Sequence, residues 1–156
     1  MKKEDLSCFS SACNAAEKAA LRLVGIAEQN TFGLKTKLRK KGFDSTVIAE
    51  VISRLLNQNL ISDTRYAELW LRSRLLTRKK LSPFSLRVSL GRKGIDHRSS
   101  QKAMQEVLDF ETEYSLLVNY IEKSSFSESE TTRNIKSQLK KEGFSSDVLD
   151  EYYSVL

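Results

Sequence analysis

Nine basic side chains fall between residues 72 and 98: Arg72, Arg74, Arg78, Lys79, Lys80, Arg87, Arg92, Lys93 and Arg98. Guanidinium and ammonium groups at such spacings pair with phosphates, giving binding that is salt-dependent and carries no sequence code. An earlier strip, Lys35, Lys37, Arg39, Lys40 and Lys41, offers the same chemistry. Some of these charges have structural work available: Arg65 can pair within its own unit, and Lys40, Lys41 and Lys93 can satisfy helix ends. Tyr66, Trp70 and Phe84 lie among the cations and could stack on bases, but their helical spacing with Leu71 and Leu75 favours core packing.

Other chemistry is missing. His97 is the single histidine, sits just past a capping aspartate and reads as a polar first-turn residue. Gly91–Arg92–Lys93–Gly94 lacks the spacing and the preceding strand of a phosphate loop. The pairs Glu111/Glu113 and Asp150/Glu151 read as solvated helix ends, and Ser127 and Ser129 have no base beside them. No set of residues gathers as metal ligands. The sequence therefore predicts no enzyme and no cofactor. Cys8 and Cys13 are two thiols without a disulfide framework, which points to a reducing compartment. The opening residues echo a secretory signal only loosely, because Glu4 and Asp5 interrupt them. With no transmembrane run, a cytoplasmic protein is expected.

Charge is distributed unevenly along the 156 residues. Residues 1–60 carry ten basic and six acidic side chains, residues 61–108 eleven and four, and residues 109–156 five and ten. The three segments therefore carry net charges of +4, +7 and −5, summing to +6. A basic middle suits a polyanion and an acidic end suits a basic protein surface.

The elements that hold these residues repeat. Gly42, Gly94 and Gly143 are each preceded by a leucine four residues back, Leu38, Leu90 and Leu139. Each is followed by Phe43, Ile95 or Phe144 and then by a cap, Asp44, Asp96 or Ser145. Eight before them stand Leu34, Leu86 and Ile135, and twelve before them the caps Asn30, Ser82 and Thr131. Offsets of 52 and 49 residues in three copies mark a tandem repeat. Each copy reads as three helices, the middle one ending on the glycine. In the first copy the middle helix is expected to turn Phe32, Leu34 and Leu38 inward, and the next Val47, Ile48, Val51, Ile52, Leu55 and Leu56. The helix before them has Cys13, Ala16, Ala20, Leu23 and Val24, with Ala27, on its apolar spacing. In the second copy, Ser62 or Asp63 starts a helix through Tyr66, Ala67, Trp70, Leu71 and Leu75, and Pro83 follows the cap Ser82. Its last helix, with Ala103, Met104, Val107 and Leu108, reads as less buried than its counterparts.

The fold class expected is all-α: three-helix units stacked into an elongated, curved, solenoid-like chain. The divisions are a flexible leader over 1–12 and repeats over 13–60, 61–108 (basic) and 109–156 (acidic). Stacking neighbours should supply much of the stability, since one such unit buries little alone.

The middle stretch carries a resemblance. Leu60-Ile61-Ser62-Asp63-x-Arg65-Tyr66-Ala67, Arg72-Ser73-Arg74, Ser82-Pro83 and Leu90-x3-Gly94-Ile95 resemble the bacterial recombination-regulator family RecX. Ala20-Leu21-Arg22-Leu23, Leu34-x3-Leu38-x3-Gly42-Phe43, Val51-Ile52-x2-Leu55 and Leu139-x3-Gly143-Phe144 agree by order and spacing, extending the likeness over about residues 15–156. The resemblance implies tandem three-helix repeats. It also implies binding to the RecA recombinase and its filament on DNA, and modulation, usually inhibition, of ATP hydrolysis, strand exchange and co-protease activity in the SOS response. Asp63, Arg65, Tyr66 and Ala67 match the family's helix start and, with Trp70, Gly42, Gly94 and Gly143, are expected to be structural. Arg72 and Arg74, continued by Arg78, Lys79 and Lys80, are the residues expected to contact partner or phosphate, joined by Arg87, Arg92, Lys93, Lys37, Lys40 and Lys41. The family pattern often has a basic residue and a serine cap before the second helix, where this chain has Ala27 and Asn30. The expected partners are the recombinase, its DNA filament, and single- or double-stranded DNA through phosphates, with the chain acting as a monomer away from membranes. A free-standing, sequence-nonspecific nucleic-acid-binding protein is the alternative, and a helical scaffold for another protein a third reading.

Overall fold

The computed structural model describes residues 3–77, 79–126 and 131–155. Helices follow one another in three sets: α1 (Lys3–Ile26), α2 (Thr31–Lys40) and α3 (Ser45–Asn57); α4 (Asp63–Leu75), α5 (Pro83–Arg92) and α6 (His97–Val107); α7 (Phe110–Glu122), α8 (Thr132–Lys141) and α9 (Ser146–Ser154). Among the described residues there is no strand, and the three-helix units form an elongated row.

The local code explains the boundaries. Asn30, Asp44, Ser62, Ser82, Asp96, Thr131 and Ser145 each accept a backbone N–H of the helix they precede. Asp109, which the repeat does not mark, does the same for α7. These oxygens replace partners that the first turn of a helix lacks. The middle helices all end alike. The N–H groups of Phe43, Ile95 and Phe144 reach back to the carbonyls of Leu38, Leu90 and Leu139 at 3.3, 3.1 and 3.3 Å. This closure requires a left-handed residue just before, supplied by Gly42, Gly94 and Gly143 at φ 88°, 78° and 89°.

Two cores form, not three. Cys13, Ala16, Ala20, Leu34, Leu38, Val47, Ile48, Val51, Ile52, Leu55 and Ile61 make the first, with Cys13 a free, buried thiol. The second is continuous through α4–α9, from Ala67 and Leu71 through Leu86, Leu90 and Ala103 to Leu117, Leu139 and Leu149. Stacking thus merges the second and third units but leaves the first with a core of its own.

Several expectations are corrected. Residues 3–12, taken as a leader, lie within α1. Phe32 and Leu56, placed inward by the sequence, are 56% and 44% exposed, and Ala27 is exposed beyond the end of α1. α6, expected to be less buried than its counterparts, buries Ser100, Ala103, Met104 and Val107, fewer residues than α3 but more than α9, and its pairing with α4 is the most extensive among the described residues. Small residues at 100 and 103 let the two backbones approach, which the low apolar content of α6 disguised.

Candidate nucleic-acid interface

The middle helix of each unit meets the middle helix of the next, start against end. At the first joint, between α2 and α5, the Asn30 side-chain amide donates to the Lys93 carbonyl at 2.9 Å. At the second, between α5 and α8, the Phe84 N–H donates to the Glu142 carbonyl at 2.9 Å. Each bond joins an unsatisfied acceptor at one helix end to a donor at the start of the next. The partial charges of the helix termini are complementary in this order.

Within their bounds the helices α8, α5 and α2 carry no acidic residue, and Glu142, the cap of α8, is taken up at the second joint by Ser82. Within the helices, α2 has Lys35, Lys37, Arg39 and Lys40, α5 has Arg87 and Arg92, and α8 has Arg133, Lys136, Lys140 and Lys141. All 20 acidic residues fall outside these three helices in the sequence. The acidic third unit is therefore divided: its charge resides outside α8, in part on α7 and α9, while α8 continues the basic row. Outward positions correspond across units at offsets of 52 and 101: Phe32, Phe84 and Arg133; Lys35, Arg87 and Lys136; Lys40, Arg92 and Lys141. Positions i, i+3 and i+8 on a helix share a face. All of these residues are exposed except the half-buried Lys136. Among the described residues, Lys35, Arg39, Lys40, Lys41, Arg87 and Arg92 have no ion pair, whereas Lys136 holds Asp150 at 2.5 Å and Lys37 donates to Gln29 at 2.6 Å. The Lys136 ammonium also holds the Asp150 carboxyl below its ordinary value.

The basic residues of α4 do not form one strip. Arg74 lies over the Trp70 ring, 5.5 Å from its centroid, and Lys93 comes over the same ring at 5.4 Å. Trp70 is thus a half-buried anchor for two cations. Arg72, two residues from Arg74, points about 200° away around the helix. It approaches Asp109, whose carboxyl is held low by the Thr112 hydroxyl and N–H and, in smaller part, by Arg72. Lys79 and Lys80 are exposed, with Lys80 4.5 Å from the centre of the Tyr120 ring; Arg78 lies outside the described residues. Burial and the neighbouring Glu142 raise the Tyr120 phenol above its ordinary value. Arg87 overhangs a cleft of about 230 Å³ at the second joint, with Pro83, Gln101 and Glu113 in its walls.

The signature residues tie units together. Arg65, for which a partner in its own unit was one reading, pairs with Glu28 of the first unit at 2.8 Å. Asp63 accepts the Thr31 N–H at the start of α2 at 2.6 Å. Tyr66 packs against the second core, while Phe84 stands 52% exposed. Exposed Phe32 and the α8 cations share this surface but were not among the candidate residues read from the sequence. The repeat register would have found them: Phe32 aligns with Phe84, and it lies about 200° around the helix from Leu34.

Among the described residues no group of three or more His, Cys, Asp and Glu could hold a metal ion, and no helix is long and apolar enough to cross a membrane. Fold and surface together define a class: an all-helical tandem-repeat protein that presents a basic row of middle helices. A profile of the first three-helix domain of RecX matches residues 16–55. Regulatory protein RecX of Treponema pallidum (strain Nichols) is 33% identical over 116 residues, covering 74% of this chain and 70% of that protein. Its counterpart in Syntrophotalea carbinolica is 26% identical over 145 residues, covering 89% and 94%. The crystal structure of RecX from Lactobacillus salivarius matches with a TM-score of 0.67 at 26% identity, covering 94% of this chain and 97% of that one. Another RecX crystal structure matches in fold with a TM-score of 0.70 at 19% identity, covering 96% and 76%. The chain belongs to the RecX family.

Proposed function

We propose that the protein binds the RecA recombinase and its filament on DNA, and inhibits ATP hydrolysis, strand exchange and SOS co-protease activity. Family membership supplies the regulatory role. The observation that carries the mode of binding is the row α8–α5–α2, an extended basic surface with no carboxylate in its helices. Such a row lies along a phosphate backbone, and the acidic residues of α7 and α9 are left for protein contact. Trp70 fixes Arg74 and Lys93 beside the first joint, where they extend the field of the row, while Lys80 stands over Tyr120.

The test is inhibition of DNA-dependent ATP hydrolysis by the recombinase. The combined variant Lys35→Glu, Arg39→Glu, Arg87→Glu and Arg92→Glu is expected to lose inhibition while keeping its far-ultraviolet circular dichroism. Full inhibition by that variant removes the row from the site. Pull-down with filaments formed on a non-hydrolysable nucleotide separates filament binding from free DNA binding. Equal affinity for DNA with and without recombinase favours a free-standing nucleic-acid-binding protein.

A further inference from the structure

We propose that Phe32 and Phe84 are stacking platforms for unpaired bases, so that the row of middle helices takes a single strand in preference to duplex. This rests on the reading of the row as a DNA-contacting surface and adds which form of nucleic acid it selects.

Five observations converge. Phe32 and Phe84 occupy the same register position, second in α2 and second in α5, 52 residues apart. They are 56% and 52% exposed, whereas the other aromatic residues near the cations are engaged: Trp70 lies under Arg74 and Lys93, and Tyr120 lies under Lys80. Both phenylalanines are held in place at a joint. A Cβ at Gly94 would come within 2.4 Å of the Phe32 ring, so a side-chain-free residue makes the seat on which that ring rests. Phe84 is fixed through its backbone, by the Glu142 carbonyl and by close approach to Gly143. Cations follow each ring in register, Lys35 and Lys40 after Phe32, and Arg87 and Arg92 after Phe84, with no acid on either helix.

An exposed ring seated among unpaired cations complements a ligand that joins flat apolar faces to a line of negative charge. A single-stranded nucleic acid has both, and its bases stack on aromatic rings with little regard to sequence. In duplex the base faces are covered by their neighbours, so only the phosphate contacts would remain. Phe84 and Gly94, where Phe32 sits, are ten residues apart on one helix and its cap, about 15 Å at 1.5 Å per residue. At about 3.4 Å per stacked nucleotide, the rings would meet bases roughly four steps apart. Arg133 holds the third register position, and a guanidinium plane also stacks on bases.

The experiment measures binding of the full chain, by fluorescence anisotropy at fixed salt, to three probes of equal length: oligo(dT), its abasic counterpart and a duplex. The wild type is expected to bind oligo(dT) roughly tenfold or more tighter than the abasic strand, from stacking on two rings. Phe32→Leu with Phe84→Leu should erase that preference and leave abasic affinity and salt slope unchanged. Phe84→Trp should retain it. Phe84→Leu alone, whose ring no glycine seats, guards against a folding defect at the first joint. Equal binding of oligo(dT) and abasic strand by the wild type overturns the proposal, and so does a preference that survives the double substitution. In both cases phosphate binding by the row stands. A double variant weakened only towards the recombinase filament, with unchanged oligonucleotide binding, assigns the rings to a protein contact and also overturns it. Loss of the row itself is diagnosed separately, by a charge-reversed variant that still inhibits ATP hydrolysis.

Discussion

The two joints between middle helices use one sequence signal and reach different mechanical results. At the first joint, apart from the Phe32 ring on Gly94, the contacts are polar: Asn30 with Lys93, Thr31 with Asp63, and Glu28 with Arg65. Beneath it the apolar cores are separate. At the second joint the Ser82 hydroxyl donates to the Glu142 carboxylate at 2.5 Å and the Phe84 N–H to its carbonyl, above a core continuous from α4 to α9. Apolar burial contributes in proportion to area, whereas polar ties exchange solvent hydrogen bonds for internal ones at small net gain. The first joint is thus a latch and the second a weld. The molecule is a three-helix unit latched to a six-helix body, with the basic row crossing both joints.

The largest test of that difference is in the cores. Leu38→Ala and Leu139→Ala remove the same repeat position, fully buried in each core, and each should cost about 2–5 kcal/mol. Under hydrogen exchange, Leu139→Ala is expected to lower protection throughout α4–α9 and spare α2 and α3. Leu38→Ala should do the reverse. A uniform loss in both variants would erase the distinction between latch and weld.

The repeat glycines give a graded series. Alanine at Gly42 meets nothing within 4 Å, so Gly42→Ala should cost only the left-handed strain, about 1–2 kcal/mol. At Gly143 the new carbon meets Phe84 N at 3.2 Å and Pro83 at 3.3 Å, and the backbone there is held by the joint. At Gly94 it meets the Phe32 ring, which must swing off its seat. Chemical denaturation should therefore rank both above Gly42→Ala, with Gly94→Ala also disturbing the first joint.

A smaller effect is expected from Asp63→Ala, which strips the Thr31 N–H of its carboxylate partner and should cost on the order of 1 kcal/mol. The loss belongs to the latch. Distances between spin labels on α3 and α6 should broaden while the α4–α9 melting transition stays in place.

The smallest effect concerns acid. The Ser99 hydroxyl and N–H hold the Asp96 carboxyl below its ordinary value, and Asp109 and Asp150 are lowered by Thr112 and Lys136. All three belong to the six-helix body. A depressed folded value means that the contribution is fully present above the ordinary carboxylate value of about 3.9 and is lost as pH falls through the folded value. Urea midpoints should be flat from pH 7 to 5 and fall below pH 4. Asp96→Asn, which keeps a capping oxygen but has no charge to lose, should lower the midpoint slightly at neutral pH and make the fall in acid shallower.

Much of this architecture was legible in the chain. Caps and left-handed glycines act over four or five residues, so Asn30, Ser82, Asp96 and Gly94 announce helix ends without knowledge of the rest. The repeat register even contained the candidate row, since Lys35 and Arg87, or Lys40 and Arg92, align at the offset that the glycines define. Phe32 was misplaced because a ten-residue helix with few apolar residues lets an aromatic count as core, although Leu34 and Leu38 already define the buried face.

The sequence by itself determined the nine helices of the described residues, most of their ends and the threefold repeat, though not the start of α1, because hydrogen bonding at helix termini and apolar period are local properties. Only the tertiary structure decided that α2, α5 and α8 meet end to end, that Arg72 and Arg74 part company, and that two units share a core while the first keeps its own. Those outcomes depend on contacts between residues dozens of positions apart, Asn30 with Lys93 and Ser82 with Glu142, which no local pattern specifies.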